Sequence, residues 1–167
     1  NTFGGVWQGL TWAGDDWEAI TAVDKDTLQQ IGARATSVPE GFSLHRTLER
    51  LLKVRQQMVA GDHPVDWGCG EMLALGSLLL ERIPIRLSGQ DCQRGTFAHR
   101  HAVWHDIETG EKHTPLAYLA EGQGRFEVIN SMLSELAVLG FEYGISSADP
   151  NRLIIWEAQF GDFANGA

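Results

Sequence analysis

The chain has no apolar run near the ~20 residues that a membrane-spanning helix requires. Its longest candidates, residues 72–80 and 136–141, are interrupted by glycine and bounded by charge, so neither a span nor a signal segment is expected. Cysteine is scarce as well: Cys69 and Cys92 form no Cys-x-x-Cys pair, which favours reduced thiols in a reducing compartment over a bridge. Positive charge is in deficit, with 13 Lys and Arg against 22 Asp and Glu and a net charge of −9 at pH 7. Neutralising phosphates takes clustered Lys and Arg, so no nucleic-acid partner and no membrane partner is expected. The 167 residues suffice for one sizeable core but not two, and the first expectation is one acidic, cytoplasmic α/β unit. The chain opens on Asn1 and ends at Ala167 inside what reads as the start of an element, so an internal piece of a longer protein is expected.

Residues 1–17 are rich in Gly and Trp without a sustained period; Trp7, Trp12 and Trp17 fit neither a helical stripe nor a strand face and read as a tether. Asp24 followed by Thr27, Leu28 and Ile31 reads as a capped short helix ending at Gly32. Pro39-Glu40-Gly41 reads as a turn. From Ser43 to Gly61 an amphipathic helix carries Leu44, Leu48, Leu51, Leu52, Val54 and Met58, with Arg46, Arg50, Lys53 and Arg55 mostly on its outer face. Asp66 reads as the cap of a helix over 68–81, apolar nearly all round and therefore buried. The strand Ile85-Arg86-Leu87 follows it, and the same order recurs as a helix over 134–148 and a strand over 153–156. Two such units predict a parallel sheet with crossover helices. Residues 90–124 between them are long for an irregular connection, and their Phe97, Trp104 and histidines make function a better explanation than disorder.

In that span His99, His101 and His105 would share one face of an extended segment, and three imidazoles with a nearby carboxylate have zinc-binding chemistry. No further Cys or His pair completes a known spacing. The residues themselves leave two readings: histidines satisfied by backbone carbonyls, or one facing a substrate as acid, base or anion-binding group. Glu135 follows Ser134, a plausible cap, and an anion in a first turn is ordinary helix-start chemistry; Glu142 lies two turns further along the same side. Phe160 and Phe163 bracket Gly161-Asp162 after the last strand, where open α/β sheets collect ligands, and core packing explains them equally well. Ala164 and Gly166 would permit close backbone approach.

Five longer motifs carry a resemblance. They are Val65-Asp66-Trp67-Gly68; Arg86-Leu87-Ser88-Gly89-Gln90-Asp91; Arg94-Gly95-Thr96-Phe97 with His99-Arg100-His101-Ala102-Val103; Leu133-Ser134-Glu135 with Ala137-Val138-Leu139-Gly140-Phe141-Glu142-Tyr143-Gly144; and residues 156–167 from Trp156-Glu157-Ala158-Gln159-Phe160 onward. Together, from Val65 to the end, they resemble the thiamine-diphosphate-dependent first component of 2-oxoglutarate dehydrogenase complexes. The resemblance implies an α/β, parallel-sheet transketolase-like pyrimidine-binding domain over residues 63–167, incomplete at its C-terminus, preceded over 1–62 by an irregular and helical linker. It implies that Glu135 hydrogen-bonds the aminopyrimidine ring and exchanges a proton with it. It also implies that Phe160 and Phe163 pack on that ring, that Gln159 borders it, and that His101 meets the reacting substrate.

The activity so implied is decarboxylation of 2-oxoglutarate and transfer of the succinyl group to a lipoyl-bearing succinyltransferase component by a homodimeric enzyme, in the bacterial cytoplasm or the mitochondrial matrix. A 2-oxoadipate-specific relative would share most of these motifs. The glycine-rich Asp/Asn motif that holds magnesium and the diphosphate in this superfamily has no counterpart in these 167 residues; the expectation is that a separate diphosphate-binding domain holds Mg2+ and that this piece alone is inactive. A metal-dependent hydrolase built on His99, His101 and His105, and a non-catalytic interaction module, stand as alternatives.

Overall fold

A computed structural model describes residues 4–15 and 18–163, with side chains through residue 161. Expectations that fell on Trp17, Asp162, Ala164 and Gly166, and on the side chain of Phe163, lie outside the described residues. Among the described residues four α-helices form: α1 (Lys25–Ala35), α2 (Arg46–Ala60), α3 (Trp67–Leu80) and α4 (Glu135–Ala148). The Asp24 and Asp66 carboxylates accept from Thr27 N (2.8 Å) and Cys69 N (2.7 Å), satisfying first-turn donors as N-caps do. The first helix continues past Gly32 to Ala35 because Gly32 is packed under Val59 of α2, where a Cβ would lie 2.4 Å from a Val59 methyl carbon. Here tertiary contact overrides the low helix propensity of glycine.

Three parallel strands make the sheet, β1 (Ile85–Gly89) between β4 (Phe126–Asn130) and β5 (Leu153–Glu157). A small antiparallel pair, β2 (Trp104–His105) and β3 (Lys112–His113), lies in the connection from β1 to β4. The register aligns Ile85 with Phe126 and Leu153, and Leu87 with Val128 and Ile155. Ile85, Phe126, Val128, Leu153 and Ile155 join Leu75, Leu79 and Ile31 in the main core, and the buried Leu87 falls on the same face by the period of two. The opposite face carries Arg86, which meets Glu142 of α4, so the sheet is covered by α3 on one side and α4 on the other. The expected parallel sheet with helical crossovers is therefore present. The span taken as irregular contains β2, β3, a single 3₁₀ turn at Pro115–Tyr118 and, just beyond it, the unforeseen strand β4.

Two further details differ from the sequence reading. Ser134 occupies the N-cap position of α4 but its side chain makes no capping bond. Arg55 does not face outward: it is 2 % exposed, donating to the Arg100 carbonyl at 3.1 Å and to the His99 carbonyl. It sits on the same helical stripe as Leu48 and Leu52, one turn on, so its long stem follows the apolar face inward.

Candidate functional site

The carboxyl ends of the strands bring the site residues together. Gly89 ends β1 against β5, where a Cβ would lie 2.6 Å from the Glu157 carbonyl; the absence of a side chain there lets the two strands close up at their ends. The next residue, Gln90, sends its amide to Glu135 Oε1 at 2.9 Å and accepts from Gln159 Nε2 on its own carbonyl at 3.2 Å. Gln159 also pairs with Thr96 Oγ1 at 3.1 Å. One hydrogen-bonded chain thus joins the start of α4, the end of β1, the segment after β5 and the loop that carries the histidines. Neither Gln90 nor Thr96 was assigned a role from the sequence; each stands one step past a glycine, Gln90 at the end of β1 and Thr96 in the loop that follows, and that was the available signal.

Behind this chain lies a buried charge cluster. Arg100, 7 % exposed, donates to Glu71 from Nε (2.6 Å) and Nη2 (2.9 Å), to the Cys92 carbonyl (2.7 Å) and to Glu157 Oε2. Burial alone would lower its pKa, but the Glu71 and Glu157 carboxylates outweigh that and raise it, so it stays charged. Burial pushes the Cys92 thiol up to about 11; its Sγ lies 3.0 Å from the Ile129 carbonyl, and it stays protonated and unreactive.

Thr96, His99, Glu157, Gln159 and Phe160 line a cleft of about 200 Å³. Phe97 and Phe160, 75 % and 68 % exposed, meet edge to face across it with centroids 6.0 Å apart. Glu135 connects to this cleft through Gln90 and Gln159. His101 is placed elsewhere, with Arg55, Glu71, Met72 and Arg100 around an interior cavity of about 20 Å³, room for one water. Burial and then the Arg55 charge push its pKa down from 6.5. The segment is not extended: Ala98 and His101 have φ of 51° and 48°, which breaks the period that would align His99, His101 and His105. Among the described residues no group of three or more His, Cys, Asp or Glu is arranged to hold a metal. Glu142 is no free relay either. It is 3 % exposed and held by Arg86 through three contacts of 2.8–3.1 Å.

The comparisons with known proteins agree with this architecture. Residues 63–167 match the family model described as transketolase, pyrimidine binding domain. The chain is 59% identical over 148 residues to 2-oxoglutarate dehydrogenase, mitochondrial, of Caenorhabditis elegans, covering 88% of this chain and 14% of that protein. It is 51% identical over 166 residues to the 2-oxoglutarate dehydrogenase E1 component of Brucella anthropi, covering 98% of this chain and 17% of that protein. The chain therefore spans about one sixth or less of the length of these relatives. A three-stranded parallel sheet clasped between α3 and α4, with polar residues gathered at its carboxyl edge, is the framework on which that match lies, and the chain belongs to the transketolase pyrimidine-binding domain family.

Proposed function

We propose that this chain supplies the pyrimidine half of the cofactor site in a thiamine-diphosphate-dependent dehydrogenase that decarboxylates 2-oxoglutarate and passes the succinyl group to a lipoyl-bearing succinyltransferase component. The observation that carries the reading is the hydrogen-bonded chain Glu135, Gln90, Gln159 and Thr96 beside an aromatic-walled cleft. The names of the relatives support the substrate, and the name E1 component supports a place in a multi-component enzyme. The donor set fits an amine-bearing heteroaromatic ring: a carboxylate, a carboxamide and two exposed phenylalanines, with buried polar atoms at the cleft still unpaired. Magnesium and the diphosphate belong to a separate domain in this reading, and residues 1–62 serve as the linker toward it.

Bound thiamine diphosphate supplies the nucleophilic carbon and the electron sink that loss of carbon dioxide from a 2-oxo acid requires. The chain's own residues supply the rest. Glu135 exchanges a proton with a ring nitrogen, and Gln90 keeps its Oε1 directed by the 2.9 Å bond. Phe160 and Phe163 exclude water from the ring face, while Gln159 borders it. His101, which the resemblance assigns to the substrate oxygen, lines the small cavity and not the cleft, so in this reading its proton exchange with substrate belongs to the assembled site of the full-length enzyme.

The face of α4 away from the sheet carries Leu136 and Tyr143, 66 % and 71 % exposed, and Phe141 on its flank is 55 % exposed. Such a face is covered by the second subunit of a homodimer in this reading. Glu135→Gln in the full-length protein is the test. It should lower kcat for 2-oxoglutarate by at least about 100-fold with the dimer intact by sedimentation; unchanged turnover would sink the reading. The ratio of kcat/KM for 2-oxoglutarate and 2-oxoadipate decides between the two substrates.

A further inference from the structure

The loop that carries His99, Arg100 and His101 is strained at two points. Ala98 and His101 stand at φ of 51° and 48°, and residues other than glycine keep such angles only where the surroundings hold them there. Part of the hold is local. The amide groups of Arg100 and His101 both donate to the Arg94 carbonyl at 3.0 Å, and that of Ala102 to the Gln93 carbonyl at 2.7 Å. Trp104 Nε1 donates to the His101 carbonyl at 3.0 Å.

The His99 and Arg100 carbonyls are held from elsewhere. Arg55 of α2 donates from Nη2 to the first and from Nη1, at 3.1 Å, to the second, so one planar fork spans two successive peptide groups. Arg55 lies ahead of residues 63–167, the region matched to the family, and 44 and 45 residues before its two partners. Gly68, the second residue of α3, leaves room for the contact: a Cβ there would lie 2.5 Å from the His99 carbonyl oxygen and 3.2 Å from Arg55 Nη2.

Leucine at this position would continue the stripe of Leu48 and Leu52 without burying a charge. Among the described residues Arg55 makes no ion pair, its Nε is buried unpaired, and a guanidinium so placed is costly. What arginine adds is the pair of charge-assisted bonds to the loop. The two peptide planes they fix flank Arg100 and lead the chain into His101, so they set where the His101 side chain begins. Arg55 and His101 line the same interior cavity.

We propose that Arg55 is a positioning residue for the decarboxylation: from a helix ahead of the matched domain it locks the His99 and Arg100 peptides and thereby sets the His101 imidazole for its proton exchange in the assembled site. The inference rests on the role given to His101 in the functional reading above. In the full-length enzyme, Arg55→Lys keeps the charge and loses the fork. It should lower kcat for 2-oxoglutarate about tenfold or more, since a misplacement of about 1 Å costs on the order of 100-fold, while thiamine diphosphate affinity by calorimetry stays within about threefold of wild type. A clamp that acts through His101 adds nothing once that imidazole is gone, so Arg55→Lys combined with His101→Asn should turn over within about twofold of His101→Asn alone. Gly68→Ala presses on the same His99 carbonyl from α3 and takes the place of Arg55→Lys if that variant does not assemble. A smaller fall in kcat, a cofactor affinity that falls with it, or a double variant that drops further below His101→Asn would each overturn the clamp, as would failure of both the lysine and the alanine variants to assemble. His101→Asn turning over like wild type would remove His101 from the reaction and this inference with it, while Glu135→Gln tests the thiamine reading separately.

Discussion

At the scale of single residues, burial sets the protonation of the histidines. His101 is pushed down from 6.5 by burial and by Arg55, and His113 by burial. The unfolded chain binds their protons near 6.5 and the folded chain only at lower pH. Their contribution is therefore complete above 6.5 and is lost as pH falls through the folded values. The melting temperature should fall between about pH 7.5 and pH 5.5, and His101→Asn should flatten that fall; an unchanged slope would show that His101 does not titrate on unfolding. Residue identity was legible here, but setting was not. His99 and His101 stand two apart in the sequence, yet the positive φ at Ala98 and His101 sends one to the cleft and the other to an interior cavity. No sequence period announces such a backbone. Arg55 was more legible than the sequence reading allowed, since its place on the stripe of Leu48 and Leu52 already pointed inward.

At the scale of elements, α4 is tied to the sheet by charge and by little else. Val138 and Glu142 are its buried residues, and Glu142 reaches Arg86, the second residue of β1. The Arg86 guanidinium also lies over the Phe141 ring at 5.7 Å, a cation–π contact. Glu142→Leu should destabilise the fold by about 3–5 kcal/mol, because it strands a mostly buried arginine. The double variant Arg86→Met with Glu142→Leu should recover most of that by denaturant titration, and failure to recover would mean that the pair's hydrogen bonds, not its charge balance, hold the helix. The helices and the strands β1 and β5 were legible from their caps and apolar periods. The strand β4 was not, because Phe126-Glu127-Val128-Ile129-Asn130 has no helix directly before it to complete a helix–strand unit, and its pairing with β1 is not written in the local sequence. Only pairing distinguishes such a run from loop.

At the scale of the whole molecule, the helices before the matched region are not separate from it. Ile31 and Ala35 of α1 lie in the same core as Leu75 and Leu79 of α3 and Ile85 of β1, so a segment expected as linker packs as a layer of the fold. The isolated chain should bind thiamine diphosphate and Mg2+ more weakly than micromolar by calorimetry, because in the proposed reading the groups that hold the diphosphate and metal belong to another domain. Micromolar binding would show that the pyrimidine half suffices. The exposed face of α4 makes the same point for assembly: Leu136→Asp should leave the isolated chain's melting temperature within a few degrees, a surface-sized effect, yet lower the dimer content of the full-length protein.

The sequence by itself determined the parallel α/β order, the Asp24 and Asp66 caps and the family resemblance, because these reside in local chemistry and in long runs of matching residues. Glu135, Gln159 and Phe160 were named from those runs, and the structure sets them at one edge of the sheet. What the tertiary structure alone decided is how they connect: Gln90 and Thr96 bridge them, Arg100 orients Glu157 from behind, and His99 rather than His101 faces the cleft. Those relations depend on strands and loops separated by as many as 69 residues, joined by hydrogen bonds that form only once the sheet has closed and its carboxyl edge has drawn the loops together.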